Sequence, residues 1–407
     1  MRLLYWAICV WSGVWGASPS VLYLTWMHDP TTTMTVQWHT SKEDQASVIS
    51  YKENGEWKEE KGSFGTLYGS DVVVHTVELS GLEPGGEYEF RIPSKGNEIY
   101  RFRTLPANLD TPLRFVVGGD AYFYLSRFQK MNRQIAALNP DFVVVGGDIA
   151  YTVNSRALFK GKGWELNRWR RFFKEWKRQM VTSDGRLIPI VPVVGNHDIR
   201  QTALVEKHEH FFFYELFALG EPGVSYRTMD VGNYLSLFLL DTGHSFHIEG
   251  QQTKWLADQL SARQNRPYKF AAYHIGAYPS AYPFYGNIPK RIRYYWSPLF
   301  ERYEVQLAFE HHNHAYKRTY PMKRGRMNPG GVVYMGDGSW GVNPRQPKEM
   351  WYLEKAAKIN AVNFVTLTKE GATVEAVDNQ GMIVDQISVS PYISPAVWNG
   401  ARCLPGI

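Results

Sequence analysis

FVVVGGDIAY, residues 142–151, decides the fold of most of this chain. Four apolar residues run without alternation, two glycines follow, and a carboxylate stands at Asp148. An unbroken apolar run of that length, closed by glycine, reads as a strand covered on both faces. Comparable segments lie on either side: RFVVGGDAY with Asp120 and Tyr122, IPIVPVVGNHD with Asn196 and His197, YKFAAYH ending at His274, and VQLAFEHHNH with His311, His312 and His314. Between them, Ser126–Leu138, Trp164–Met180 and Gln251–Leu260 carry helical periodicity. Strands alternating with helices predict a layered α/β domain over residues 112–390, with a tail at 391–407.

Upstream the texture differs. TMTVQWHT alternates, VISYKENG turns at Asn54 and Gly55, and HTVELSGLEPGGEYEFRI and IYRFRTLP read as further short strands. Closely spaced strands with turn signals predict an all-β sandwich over residues 20–108, joined through PANLDTP. Ahead of it, Arg2, the apolar run Leu3–Trp15 and the small residues Gly16 to Ser18 predict a signal peptide over residues 1–19 and hence export. Cys9 would leave with that leader, and Cys403 alone makes no internal disulfide. The run before Cys9 is too short for a lipoprotein signal, and no later stretch spans a bilayer, so no stable membrane anchor is expected.

With 44% hydrophobic residues the chain can bury a core, which excludes a disordered protein. The net charge of +6 is spread thinly, favouring an anionic substrate slightly and giving no footprint for nucleic acid. The Trp164, Trp169 and Trp176 helix accordingly reads as amphipathic packing.

Nearly every apolar strand of the second unit ends in a group able to bind a metal, and in α/β proteins ligands gather beyond the carboxyl ends of strands. Asp120, Asp148, Tyr151, Asn196, His274, His312 and His314 mix hard oxygen with imidazole donors, a set that suits Fe, Zn or Mn and not a thiolate site. Seven donors exceed the need of one ion. Two ions sharing a carboxylate would use them all, and a pair about 3.5–4 Å apart can neutralise a phosphate and activate water. His312 and His314 alternate onto one side if their segment is extended. His208 and His210, in EKHEHFFFYELF, read as surface or core; Asp337, in GDGSWG, as a turn residue; His244 and His247, after Asp241, as neighbours of the crevice.

The order GGDAY, GGDIAY, VVGNHD, AAYH and EHHNHAYKR resembles the five motif blocks of the calcineurin-like metallophosphoesterases. It is most specifically similar to the purple acid phosphatase family, whose discriminating tyrosine stands three residues after the second-block Asp, here Tyr151 after Asp148. DTGHSFHIEGQQTKWL looks like a family segment too, and LEPGGEYEFRI looks like a fibronectin type III-like domain, the N-terminal partner found in the longer members. The resemblance implies a β-sandwich core flanked by helices. It implies Asp120, Tyr151 and His314 around a ferric iron, Asn196, His274 and His312 around a second Fe, Zn or Mn(II), and Asp148 as the bridge. His197 would be catalytic, beside the phosphate or protonating the leaving alkoxide, and Asn196, His197 and Tyr122 would meet substrate.

Three positions depart from the family pattern. Tyr122 replaces the glycine of GDxG, where a ring would narrow the site or stack on substrate. His311, preceded by Glu310, replaces a glycine in the fifth block, as a mere neighbour or an added group. IGAYPSAYPFYG lacks the substrate histidines of plant members and offers Tyr278, Tyr282 and Tyr285 instead. The expected activity is acid phosphatase-type hydrolysis of small phosphate monoesters by metal hydroxide. The competing readings are a phosphodiesterase or nucleotide pyrophosphatase on the same centre, and an inactive binding or adhesion protein.

Overall fold

The computed structural model describes residues 18–153, 161–199, 211–336 and 338–393. Residues 1–17 of the expected leader, Cys9 among them, with His208, His210, Asp337, Cys403 and residues 394–407 of the tail, lie outside the described residues. No helix among those described is long and apolar enough to cross a membrane.

The first unit contains eight strands: β1 (Leu22–Thr25), β2 (Met34–Ser41), β3 (Val48–Glu53), β4 (Glu56–Lys61), β5 (Ser63–Thr66), β6 (Val72–Leu79), β7 (Glu87–Arg91) and β8 (Tyr100–Arg103). They pair antiparallel in two sheets, ordered β1-β2-β6-β5 and β4-β3-β7-β8. Period-two alternation sends Met34, Val36 and Trp38 of β2 inward to meet Phe90 and Phe102. The opposite face of β1 and β2 is buried as well, because it docks on the second unit. Tyr23 stacks on Phe173 at 4.0 Å, His39 meets that ring edge-on at 5.7 Å, and Trp26 meets Phe142 at 5.9 Å.

The second unit runs β9 (Leu113–Gly118), α1 (Leu125–Ala137), β10 (Phe142–Gly146), α2 (Gly161–Gln179), β11 (Ile190–Val193), α3 (Phe212–Leu216), β12 (Arg227–Val231), β13 (Leu235–Leu240), α4 (Gln251–Ala262) and β14 (Tyr268–Ile275). It continues through α5 (Asn287–Tyr295), α6 (Ser297–Arg302), β15 (Leu307–His311), β16 (Tyr316–Thr319), the hairpin of β17 (Met322–Lys323) and β18 (Arg326–Met327), and β19 (Val333–Gly336). β20 (Leu353–Ala357), β21 (Ala361–Leu367), β22 (Ala372–Asp378) and β23 (Ile383–Val389) complete it.

Two sheets stack, one ordered β11-β10-β9-β21-β22-β23 and the other β12-β13-β14-β15-β19-β16-β20. Phe115, Val117, Phe142 and Val144 face Leu237, Phe270, Leu307 and Phe309 across a shared core. Val116, Val143 and Val145 turn outward onto α1 and α2, while Phe238, Leu240, Ala271 and Tyr273 turn outward with residues of α4, α5 and α6. The result is a sheet-on-sheet core with helices on both outer faces, which accounts for the unbroken apolar runs. Pro192 lacks a donor N–H, and β11 is accordingly an edge strand. Trp169 and Trp176 are buried with these helices.

Candidate metal centre

The turns that end β9 and β10 lie side by side. The Asp120 N–H donates to Gly147 O at 3.0 Å, and the Ala121 N–H donates to Asp148 O at 3.1 Å. Packing them together requires glycine. A Cβ on Gly147, whose φ is 89°, would stand 2.6 Å from His274 Nδ1, and one on Gly146 would overlap the His311 ring. Five of the seven candidate ligands are themselves left-handed: Asp120 (φ 57°), Asp148 (53°), Tyr151 (52°), His312 (69°) and His314 (55°). Non-glycine residues take that conformation at some energetic expense, which clusters at functional sites.

Two groups of donors result. In the first, the Tyr151 hydroxyl donates to Asp120 Oδ1, His314 Nε2 lies 3.0 Å from that hydroxyl, and His314 Nε2 lies 2.8 Å from Asp120 Oδ1. In the second, ligand atoms of Asp148, His274 and His312 all fall within 4.8 Å of one another. His274 Nε2 is 3.3 Å from Asp148 Oδ2, 3.2 Å from His312 Nδ1 and 3.1 Å from Asn196 Oδ1. The His312 N–H donates to Asp120 Oδ2 at 2.9 Å, which ties the two groups together. Carboxylates from the first sheet thus meet imidazoles from the second.

The electrostatics suit cations. Burial would raise the Asp148 carboxyl, but His274, His197 and His312 overcome it and hold it well below the usual carboxylate range. Burial would lower His274, yet Asp148 carries it up to about 9. Burial, then the neighbouring His274, holds His312 down at about 3. Burial, then Asp120, keeps the Tyr151 phenol protonated well above its ordinary range. Asp148 Oδ2 is buried and accepts no hydrogen bond, facing the His274 and His197 imidazoles at 3.3 and 3.9 Å. Two carboxylates, a phenol, an amide and three imidazoles with such an oxygen among them fit a pair of hard or borderline cations.

His197 borders this centre. Its N–H donates to Asp148 Oδ1 at 2.7 Å, its Nδ1 bonds Val153 O, its ring lies on Tyr151 at 4.7 Å, and its Nε2 stands 3.9 Å from Asp148 Oδ2. Tyr122 requires a correction. Instead of narrowing the site it is buried among Phe128 and Phe172 with the Arg168 guanidinium over its ring at 4.5 Å. The neighbouring Phe123, 40% exposed, is the ring that meets Tyr151, edge-on at 5.1 Å. A second correction concerns His312 and His314. Their segment is not extended, since β15 ends at His311, and left-handed turns aim them at different carboxylates.

His311 is buried, with its ring against Gly119 and Gly146. His244 is buried edge-on to His274 at 5.7 Å, and its Nε2 is 2.9 Å from Thr242 Oγ1; His247 sits outside beside Glu249. Of the three tyrosines after His274, Tyr278 is buried and Tyr285 is 83% exposed. Only Tyr282 touches the centre, stacked on His312 at 4.8 Å.

Three contributors went unread in the sequence. Asp198 accepts the N–H groups of Ile149 and Gly195 at 2.8 and 2.9 Å, and burial, reinforced by Asp148, pushes it up to about 8. Glu310, paired with Lys317, accepts the Ala277 N–H at 2.6 Å and the Tyr273 hydroxyl at 2.7 Å, anchoring the loop after β14. Arg345 donates to the Tyr282 hydroxyl, and its N–H bonds His314 O at 2.6 Å. Asp198 and Glu310 adjoin motif residues and were legible as carboxylates at strand ends; Arg345 lies in no motif.

Residues 19–104 match the family described as Purple acid Phosphatase, N-terminal domain, and residues 113–316 match Calcineurin-like phosphoesterase. Purple acid phosphatase 15 of Arabidopsis thaliana is 25% identical over 300 residues, covering 67% of this chain and 55% of its own. Purple acid phosphatase 23 of the same plant is 25% identical over 329 residues, covering 72% and 71%. The purple acid phosphatase PPD1 from yellow lupin (Lupinus luteus) seeds shares the fold, with a TM-score of 0.75 at 16% identity over 92% of this chain and 74% of that one. The matched part thus spans little more than half the length of the first of these relatives.

Proposed function

We propose that this chain, which belongs to the purple acid phosphatase family of calcineurin-like phosphoesterases, is a metal-dependent phosphohydrolase that cleaves phosphate monoesters at the seven-donor centre. The observation that carries this reading is the meeting of Asp120, Tyr151 and His314 with Asp148, His274, His312 and Asn196 at the ends of two separate sheets. Asp120, Tyr151 and His314 would hold a ferric ion, Asn196, His274 and His312 a divalent Fe, Zn or Mn, and Asp148 would bridge. Two such ions, when bound, neutralise phosphate and activate water for in-line displacement.

The remaining work falls to side chains. His197 donates its Nδ1–H to Val153 O in a hydrogen bond, and as the imidazolium it carries a second proton on Nε2, at the partly exposed rim, which would pass to the departing alkoxide. Its stacking on Tyr151 fixes the ring plane. Asn196, half-buried beside His274, orients the phosphate. The Glu310–Lys317 pair holds the loop that brings Tyr282 over His312. Export belongs to the same proposal and rests on the apolar run Leu3–Trp15 behind Arg2.

Purified protein loaded with iron and zinc is expected to hydrolyse an aryl phosphate monoester faster than the corresponding diester, with two ions per chain. Full activity with fewer than two ions per chain, or in Asp148→Ala, would overturn the reading. A diester preference would move the assignment to a phosphodiesterase.

A further inference from the structure

Beside the metal centre lies a cavity of about 330 Å³, at the small end of ligand pockets. Ile275, Pro279, Tyr282, Ile288 and Pro289 supply its walls, Asn287 stands at its edge, and His312 also lines it. His312 belongs to the donor cluster with Asp148 and His274, so the cavity adjoins the centre through that side chain. Its described lining contains no side chain of Asp, Glu, Lys or Arg.

Two polar side chains of the lining, Tyr282 and Asn313, are already engaged, and Asn287 is exposed. The Tyr282 hydroxyl receives a hydrogen bond from Arg345, whose guanidinium stands 5.0 Å from the ring centre, while the ring stacks on His312. Asn313 Oδ1 accepts the Ala281 N–H at 3.2 Å, and its Nδ2 donates to His311 O at 3.0 Å. A sugar or a nucleobase placed here would bury hydroxyls or ring nitrogens with few partners, whereas carbon chains and unsubstituted rings lose nothing.

We infer that this cavity receives the alcohol portion of the substrate and selects phosphate monoesters of apolar alcohols over sugar phosphates and nucleotides. The inference rests on the phosphohydrolase reading of the adjoining centre. With the phosphate held by the donor cluster, the carbon chain passes along Tyr282 into the cavity. Arg345, hydrogen-bonded to the Tyr282 hydroxyl, holds that ring as one side of the passage from centre to cavity.

A series of straight-chain alkyl phosphates tests this, because ethyl, butyl and hexyl phosphate have leaving groups of nearly equal acidity and differ only in apolar length. On the metal-loaded full chain, kcat/KM is expected to rise at least about tenfold from ethyl to hexyl, a floor set below the roughly two hundredfold that full burial of four methylenes would give. Asn287→Glu, which sets a carboxylate at the edge on the exposed first turn of α5, is expected to shrink that ratio severalfold. A flat series in an enzyme that cleaves ethyl phosphate would overturn the pocket and leave the phosphohydrolase reading intact. Calorimetric titration with hexylphosphonate and ethylphosphonate reads the pocket without turnover. The longer chain is expected to bind at least about tenfold tighter, and less so in N287E. Equal or absent binding of the two would overturn the inference, whereas a clear preference without hydrolysis of any ester would uphold the pocket and sink the activity.

Discussion

Gly146 and His311 adjoin so closely that the glycine has no room for a Cβ, which would overlap the imidazole ring. Gly146 ends β10 and His311 ends β15, so this contact sets how near the two sheets come where the carboxylates and imidazoles meet.

Gly146→Ala should therefore act on both stability and metal content. Overpacking a rigid core costs about 1–3 kcal/mol, and here the strain falls directly beneath Asp148 and His312. Urea denaturation is expected to show that loss, and metal analysis fewer than two ions per chain. Adding His311→Ala should recover part of both, because the two positions compete for one space and their effects are not additive.

Tyr151→Phe removes one oxygen donor and leaves Asp120 and His314 in place. The expected protein still binds iron but lacks the visible charge-transfer band that a phenolate ligand gives. Asp148→Ala should abolish metal binding and hydrolysis together. Dialysis of the wild type against a chelator should do the same reversibly, activity returning when metal is restored.

His39 links acidity to the seam between the two units. Burial, then Arg170 and His75, lowers its pKa to about 3, against roughly 6.5 in an unfolded chain. The unfolded state therefore binds the proton first. The stability conferred by the neutral ring is complete above about pH 6.5 and is lost as pH falls towards 3, by up to about 1.4 kcal/mol per pH unit. Subtracting the denaturation profile of His39→Gln from that of the wild type should isolate this slope; parallel profiles would contradict it.

The pair Glu310 and Lys317 is fully buried. Lys317→Met strands the carboxylate and is expected to cost about 3–5 kcal/mol in urea denaturation. The double variant Glu310→Gln, Lys317→Met should be more stable than Lys317→Met alone, since no uncompensated charge remains.

The sequence carried the strands and helices well because two-sided burial writes itself as an apolar run. The helix read at Ser126–Leu138 runs Leu125–Ala137, and the one read at Gln251–Leu260 runs Gln251–Ala262. Side-chain direction in turns was the weak point. Past the end of β9 alternation no longer holds, so Tyr122 turns into the core and Phe123 takes the place beside Tyr151. His312 and His314 converge with the carboxylates through left-handed backbone that a period-two reading does not register. Arg345 reaches Tyr282 across 63 residues of chain, a distance over which no local pattern carries information.

Tyr23 lies flat on Phe173, and in a chain begun at Leu113 that ring would meet water instead. The β-sandwich therefore serves as a fitted roof whose underside is cut to one particular helix. A different module joined at the same linker would leave that ring uncovered unless it brought a matching apolar face of its own.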